Sequence, residues 1–445
     1  MLLLMERVLT VACPAKIGQA VMVAGWVNTI RTHGKIAFID LRDRGGLLQL
    51  VITDSVLVEK AKELRPEWVV EVVGTVNARP EKLWNKELAT GQIELLVSGF
   101  DVLAEAAELP FDMGKPALDV TLPTLLDHRP LRVRHTSINP IFKVQQVVAD
   151  SFRETLQSLD FTEVFFPTLV PTTTEGGAQV FHVDYFDKDA FLAQSPQFYK
   201  QIAVGAYERV FTIAHAYRAE PSVTTRHVTE YVGLDAEMGF IDSYLEVIKI
   251  ADTVIRNIFD SVALECVDIL KKLNATIPAV AKETPIIKLK DALRVIYERT
   301  GRDNRQEPDL SPQDERDITD YAKEKFGSEI IFVTHYPTKK RPFYTFPEPD
   351  NPEETQSFDL IGRGVEWVTG SRRINDYQQL LSNVKKWGND PQKFEMYLQA
   401  FKYGMPPEGG FCLGLERITQ NILGLENIRQ ASFFPRDMER VDIRL

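Results

Sequence analysis

The sequence predicts an α+β protein in two domains, a small N-terminal β-barrel followed by a larger domain in which helices and strands mix. Three observations lead there. Between Val21 and Leu103, short β-branched and aromatic runs are separated by Gly, Asp-Arg-Gly-Gly or Arg-Pro turns. Between Leu109 and Pro140, prolines recur without any sustained period, as in a connecting segment on the surface. Beyond Pro140, apolar residues recur at helical spacing before the pattern turns strand-like. The domains are therefore placed at 1–107 and 140–445, with a linker or hinge at 108–139.

The first domain carries five strand-like runs: VMVAGWVNTI, KIAFIDLRD, LLQLVIT, EWVVEVVGTVNA and QIELLVSGFDVL. One helical interruption falls near SVLVEKAKEL. Five short strands suit a closed barrel of the oligonucleotide-binding kind. The second domain opens with a helix, IFKVQQVVADSFRETLQSLDF, and a strand, TEVFFPTLV. Pro167 cannot complete a ladder, so it marks an edge or a kink. Helices are predicted over Tyr244–Leu273, Lys288–Thr300 and Ser311–Lys325, and strands over Glu329–Val333 and Pro342–Phe346. From Glu408 the run EGGFCLGLER reads as a Gly-rich strand entering a helix with Glu416 and Arg417. Such a strand lets a nucleotide lie against the backbone.

A chain of 445 residues, 44% hydrophobic, is long enough for a large core and more than one domain. It has no run of about 18 apolar residues. Its start, MLLLMERVLTVACPAKIG, is broken by Glu6 and Arg7, so no signal peptide or membrane span is expected and the protein is placed in the cytoplasm. Cys13, Cys266 and Cys412 form neither a CxxC pair nor an even disulfide set. They read as reduced, structural residues. The net charge of −11 argues against coating nucleic acid, yet residues 1–105 carry only −1 of it. A local, shape-selective RNA contact is compatible with that balance.

The stretch YRAEPSVTTRHVTEY, Tyr217 to Tyr231, reads by itself as a solvated charged loop after a strand or helix end. Its company changes the reading. VFFPTLVP lies ahead of it and EGGFCLGLER far beyond it, and the three resemble, in order, motifs 1, 2 and 3 of the class II aminoacyl-tRNA synthetases. With the N-terminal barrel, the resemblance is to subclass IIb, whose members handle aspartate, asparagine and lysine, and it spans nearly the whole chain. It implies an OB-fold anticodon-binding domain and a catalytic domain with an antiparallel sheet flanked by helices. It also implies a homodimer joined through motif 1.

The resemblance assigns roles to residues, and the chemistry explains their types. A carboxylate attacks the α-phosphate of ATP, so fixed cations and bound Mg²⁺ must gather phosphates and hold both reactants in line. Arg218 is implied at the α-phosphate, with Arg226 and Arg417 around the γ-phosphate. Tyr231 is implied to stack on adenine, Glu220 to recognise its amino group, and His227 and Gly414 to complete the nucleotide set. Arg218, Glu220 and Arg417 are the catalytic candidates. Glu366 is implied to hold Mg²⁺ with Thr369, and Asp359 is a further acidic candidate that reads equally as a salt-bridged aspartate.

The branch of the subclass is read from QSPQFYKQ and SRRIND, which supply Lys200 and Arg373 as the pair implied to clamp an aspartate side chain. Asp235 and Gln197 are implied at the α-amino group, and Glu175 and Thr369 complete the aspartate set. Glu175 lies in PTTTEGGAQVF, which resembles a loop that closes over the amino acid. Two buried cations facing a neutral amide would stay uncompensated, so aspartate is favoured over asparagine. In the barrel, Phe38 and Gln49 stand at the spacing of the family's anticodon readers, with Arg31 and Glu94 as further contacts. His33 resembles the residue of relatives that charge both tRNA-Asp and tRNA-Asn, which leaves the breadth of tRNA open.

The implied function is ATP-dependent activation of L-aspartate and its transfer to tRNA-Asp. The alternatives are the asparaginyl activity or a paralogue that keeps the adenylate chemistry. Three departures bear on them. Glu408 stands where the family often has His, Cys412 interrupts the Gly-rich strand, and SRRIND replaces a common Gln-Arg-Ile-His ending. The long inserted domain of typical bacterial aspartyl enzymes is missing, as in the archaeal and eukaryotic type.

Overall fold

A computed structural model describes residues 5–172, 179–221 and 224–441, which divide into two compact units, 1–136 and 137–445. In the first, β1 (Ala20–His33), β2 (Ile36–Asp43), β3 (Gly46–Ile52), β4 (Val69–Ala78) and β5 (Ile93–Ala104) close a barrel in the order β1-β2-β3-β5-β4. Register explains which side chains fill it. The pairs Ala37–Ile52, Ile39–Leu50 and Leu41–Leu48 are buried, because directly opposed residues share a face and alternate residues do not. Phe38, Asp40 and Gln49 therefore stand on the outer face, with Arg31 opposite Phe38. One helix, α1 (Ser55–Ala61), interrupts the strands, capped by Asp54, whose carboxylate accepts from the N–H groups of Val56 and Leu57. The Pro-punctuated segment that follows contains two short helices, Leu122–Asp127 and Arg129–Arg132.

The second unit is built on an eight-stranded sheet. In chain order its elements are α2 (Asn139–Ser158), β6 (Thr162–Glu163), α3 (Gln197–Tyr207), β7 (Arg209–Tyr217), β8 (Glu230–Gly239) and α4 (Tyr244–Glu265). Next come β9 (Ile286–Lys288), α5 (Leu289–Thr300), α6 (Pro312–Phe326), β10 (Ile330–Thr334), β11 (Ser357–Gly362), β12 (Val365–Arg372), β13 (Glu408–Gly414) and α7 (Leu415–Leu423). The strand order is β9-β10-β11-β12-β13-β8-β7-β6. The six inner strands are antiparallel, and only the two edge strands, β9 and β6, pair in parallel. Helices α2 and α4 pack on each other, each burying an apolar stripe at helical spacing, such as Val247, Ala251, Val254, Ile258 and Val262 of α4. A reciprocal capping box of Ser243 and Glu246 starts α4.

Three predicted elements differ from the structure. The helix Tyr244–Leu273 is two helices, because the chain breaks at Cys266 before a short helix over Val267–Lys272. The strand TEVFFPTLV pairs only at Thr162–Glu163 and Leu169–Val170, on either side of Pro167, which lacks the N–H a ladder needs. Pro342–Phe346 makes one bridge, Thr345 to Arg373, and is otherwise a turn. Its aromatic run mimics a strand, but Phe343 and Tyr344 turn into a cluster with Phe198, Phe394 and Tyr397.

Phe152 of α2 is fully buried and meets Phe211 of β7 edge to face, with ring centroids 5.8 Å apart. Phe152→Ala is expected to lower the unfolding free energy of the 137–445 unit by about 3–5 kcal/mol, measured by urea titration.

Candidate active site

The floor of the candidate site is a quartet of buried charges on α3, β8 and the segment after β12. Lys200 Nζ lies 2.9 Å from Asp235 Oδ1 and 3.2 Å from Glu237 Oε2. Arg373 Nε donates to Glu237 Oε1 at 2.7 Å. All four side chains are almost wholly removed from water. Burial works against the charges of Lys200, Glu237 and Arg373, and the partners reverse it. The flanking carboxylates raise Lys200 above the ordinary lysine range, and Arg373 and Lys200 hold Glu237 below the usual carboxylate range. Period-two alternation along β8 puts Asp235 and Glu237 on one face.

Glycine makes room for this quartet. A Cβ on Gly410 of β13 would collide with the Glu237 carboxylate and with the Ala236 carbonyl. One on Gly233 would meet Asp235 Oδ2 at 2.7 Å. The Gly-rich strand thus lets side chains of β8 lie flat across their neighbour.

Above the quartet lies a cavity of about 520 Å³, onto which Gln197, Lys200, Thr369, Arg373 and Cys412 open. Both ends of the Gln197 amide are taken, its oxygen by Arg373 at 3.3 Å and its nitrogen by Gln201 at 3.0 Å. Asp235 sits behind Lys200. Glu175 lies outside the described residues.

A second lobe of about 100 Å³ adjoins the first and shares Arg218, Tyr231, Glu366, Thr369 and Cys412 with it. The residues predicted to bind nucleotide all face this lobe: besides those, Glu220, Arg226, His227, Gly414 and Arg417 line it. The stretch 217–231 is the connection between the antiparallel strands β7 and β8. The Arg218 guanidinium stands 5.6 Å from the centre of the Tyr231 ring and 3.9 Å from Glu220. His227 Nδ1 meets the Thr224 hydroxyl at 2.6 Å. Arg226 donates to Glu315 Oε2 at 2.6 Å and to the Gly364 carbonyl at 3.0 Å. Arg417 donates to the Glu366 carbonyl at 3.0 Å.

Carboxylates crowd the far side of this lobe. Burial, then the neighbouring Asp359, pushes Glu366 up to about 7. Asp359 accepts from Arg341 Nη2 at 2.6 Å, while its Oδ1 is buried without a hydrogen-bond partner. Arg341 also donates to Thr369 at 3.1 Å.

Sequence reasoning missed Glu237, Gln201, Glu315 and Arg341. The first had a signal, since it stands two residues from Asp235 in a strand. Gln201, four residues from Gln197 on α3, had a helical one. Glu315 and Arg341 reach the site from elements far along the chain, and no local pattern marks them.

In the barrel, Arg31 and Asp40 form an ion pair at 3.2 Å, and Gln49 donates to Glu94 at 3.3 Å. His33 is exposed at the β1–β2 turn, its ring 6.2 Å from that of Phe38. The five candidates Arg31, His33, Phe38, Gln49 and Glu94 share one unit, and Phe38 stands outside the barrel core.

This fold and these motifs define a class. Residues 121–438 match the family of class II tRNA synthetases (D, K and N), and residues 21–103 match the OB-fold nucleic acid binding domain. The chain belongs to that synthetase family, an enzyme class that forms adenylates from ATP. It is 40% identical to the aspartate–tRNA(Asp/Asn) ligase of Thermus thermophilus, over 98% of this chain and 99% of that one. It is also 40% identical to the ligase of the same name from Aeropyrum pernix, over 96% of each. Among solved structures, asparaginyl-tRNA synthetase from Pyrococcus horikoshii, complexed with asparaginyl-adenylate, superposes with a TM-score of 0.86 at 31% identity, covering 96% of this chain and 97% of that one. Aspartyl tRNA synthetase from Entamoeba histolytica gives 0.87 at 26% identity, covering 98% and 93%. No helix among the described residues is long and apolar enough to cross a membrane.

Gly410→Ala is expected to displace Glu237 and to abolish amino-acid activation. Unfolding should become easier by about 1–3 kcal/mol, because the new methyl group overpacks a closed site. Amino-acid-dependent ATP–pyrophosphate exchange and a thermal melt check both.

Proposed function

We propose that this chain activates L-aspartate with ATP and transfers it to tRNA-Asp. One observation carries the choice of amino acid: Lys200 and Arg373, both buried, open onto one cavity with Asp235 and Glu237 at their backs. The substrate's side-chain carboxylate meets two cations whose own counter-ions stay behind them. An aspartate side chain offers these cations two acceptor oxygens, whereas asparagine offers one and turns its NH₂ donor toward the same cations. Asp235, behind Lys200 at 2.9 Å, holds that lysine in position.

Arg218 lines both lobes, so it faces the junction where the substrate α-carboxylate would meet the α-phosphate. There its guanidinium stabilises charge that develops as the phosphorus becomes five-coordinate. Arg226 and Arg417 hold the distal phosphates, and Tyr231 packs against the base. The residues present suit Mg²⁺. Glu366, Asp359 with its unpartnered Oδ1 and the Thr369 hydroxyl are hard oxygen donors, and a divalent cation would offset both the burial and the neighbouring Asp359 that raise Glu366. Among the described residues no three His, Cys, Asp or Glu form a metal cage, and Mg²⁺ normally takes one or two carboxylates with substrate phosphates. When bound it neutralises phosphate charge.

The barrel reads the anticodon through its outer face, Phe38 by stacking and Gln49, Arg31 and Glu94 by base edges, with His33 at the rim. Two copies of the chain join through α2 and the segment to Pro171, where the Phe165 side chain is 80% exposed. tRNA-Asn is a second acceptor in this reading, as the names of the relatives from Thermus and Aeropyrum state for those enzymes. In the asparaginyl reading the amide NH₂ would face the cations Lys200 and Arg373.

ATP–pyrophosphate exchange should run with aspartate at least about a hundredfold faster than with asparagine. Arg218→Ala should lower it by about 10²–10³, since its charge acts mainly in the transition state. Comparable rates with asparagine would move the chain to the asparaginyl branch. Charging of tRNA-Asp and tRNA-Asn transcripts settles the acceptor.

Phe38→Ala should lower kcat/KM for tRNA by about 5- to 150-fold, the loss of one base stack, while exchange without tRNA is unchanged. A normal charging rate would remove Phe38 from the anticodon site.

A further inference from the structure

From Arg373 and Gln197, which line the amino-acid cavity, a chain of buried side chains runs back to Gln201 and Glu408, which do not. Arg373 Nη2 donates to Gln197 Oε1 at 3.3 Å, Gln197 Nε2 donates to Gln201 Oε1 at 3.0 Å, and Gln201 Nε2 donates to Glu408 Oε1 at 2.7 Å. The Tyr397 hydroxyl also donates to Gln201 Oε1, at 3.1 Å. Gln201 and Glu408 are fully buried, and Gln197 and Tyr397 nearly so.

The chain has a direction, fixed at its ends. A guanidinium can only donate, so Gln197 must turn its oxygen to Arg373 and its nitrogen to Gln201. Gln201 must then receive on oxygen, which leaves its nitrogen to donate at the far end. Position 408 therefore has to accept. If it cannot, Gln201 keeps a buried N–H without a partner, and that cost is relieved by turning the amides or moving the helix. The main chain reinforces the link, because the Arg373 N–H donates to the Glu408 carbonyl at 2.8 Å.

We propose that Glu408 is a positioning residue for amino-acid selection: as the terminal acceptor of this chain, it fixes the edge of Arg373 that meets the substrate side chain. The proposal rests on the aspartate reading of the cavity.

The state of Glu408 agrees with the role. Burial, then Glu237, raises its carboxyl well above the usual range, and Gln201, Arg373 and Lys200 offset this only in part. A neutral acid accepts through its carbonyl oxygen as the chain requires. Its other oxygen, Oε2, has no hydrogen-bond partner, so the negative charge is not needed to complete any contact. The chain requires an acceptor there, and both the acid and the carboxylate supply one.

Glu408→Gln and Glu408→Leu separate the two. In ATP–pyrophosphate exchange, Leu should raise the aspartate KM by about tenfold or more, the effect of one buried donor left unpaired, with the ATP KM and kcat within about twofold. Gln keeps an acceptor and should recover most of the lost affinity. Gln201→Leu, which cuts the chain one link earlier, should reproduce the selective rise and serves if Glu408→Leu does not fold. An unchanged aspartate KM in the Leu variants overturns the proposal. So does a loss shared equally by aspartate and ATP, or a Gln variant as weak as Leu. If the wild type itself does not use aspartate, the reading of the cavity fails instead.

Discussion

Lys200, Asp235, Glu237 and Arg373 form the constraint on which the rest of the catalytic unit depends. Four charges held out of water are tolerable only when every one is paired, and here α3, β8 and the end of β12 each deliver at least one. The pairing dictates sequence elsewhere. β13 must lack side chains where the Glu237 carboxylate crosses it, which is why Gly410 has no tolerance for a methyl group. It also pins the helix α3 to the sheet from one side while Phe198 anchors it in an aromatic cluster on the other.

The two lobes solve different electrostatic problems. In the amino-acid lobe cations and carboxylates balance before any ligand arrives, so discrimination comes from geometry in a dry site. The nucleotide lobe is more exposed. Arg218, Arg226 and Arg417 keep 40%, 23% and 27% of their side-chain surface exposed, facing Glu366, Asp359 and Glu315. Cations and carboxylates that face one another across a partly exposed lobe suit a polyanion together with a divalent ion. Glu315 holds Arg226 in place meanwhile, at 2.6 Å.

Period and turn chemistry made the barrel legible: all five strand runs and the intervening helix follow from alternation and Gly or Arg-Pro breaks. Helices with caps were legible too, such as α6, whose predicted start at Ser311 is its N-cap. Pro342–Phe346 was not, since an aromatic run looks the same whether it pairs with a strand or turns into a cluster. In the site, residues within contiguous motifs were found through their resemblance to a family, and their convergence on two adjoining lobes came from topology. Glu315 and Arg341 escaped because a residue that enters a site from a distant element leaves no trace in local spacing. Glu408 was noticed only as a departure; what it accepts from became visible once α3 and β13 lay side by side.

The barrel bears on how an acidic chain can recognise RNA at all. Its outer face does not present a field of cations. Arg31 is paired with Asp40, and Arg79 lies 3.8 Å from Glu94, which also holds Gln49. In the proposed reading such a face attracts phosphate weakly and discriminates by shape, with an aromatic ring for stacking and amide and carboxylate groups whose hydrogen bonds can be exchanged for those of a base. Weak attraction has a use here. A surface that binds every backbone cannot release the wrong tRNA quickly, whereas one that gains its affinity from a few splayed bases holds only a loop that supplies them. In the proposed reading, the near-neutral charge of the first hundred residues is therefore part of the selectivity.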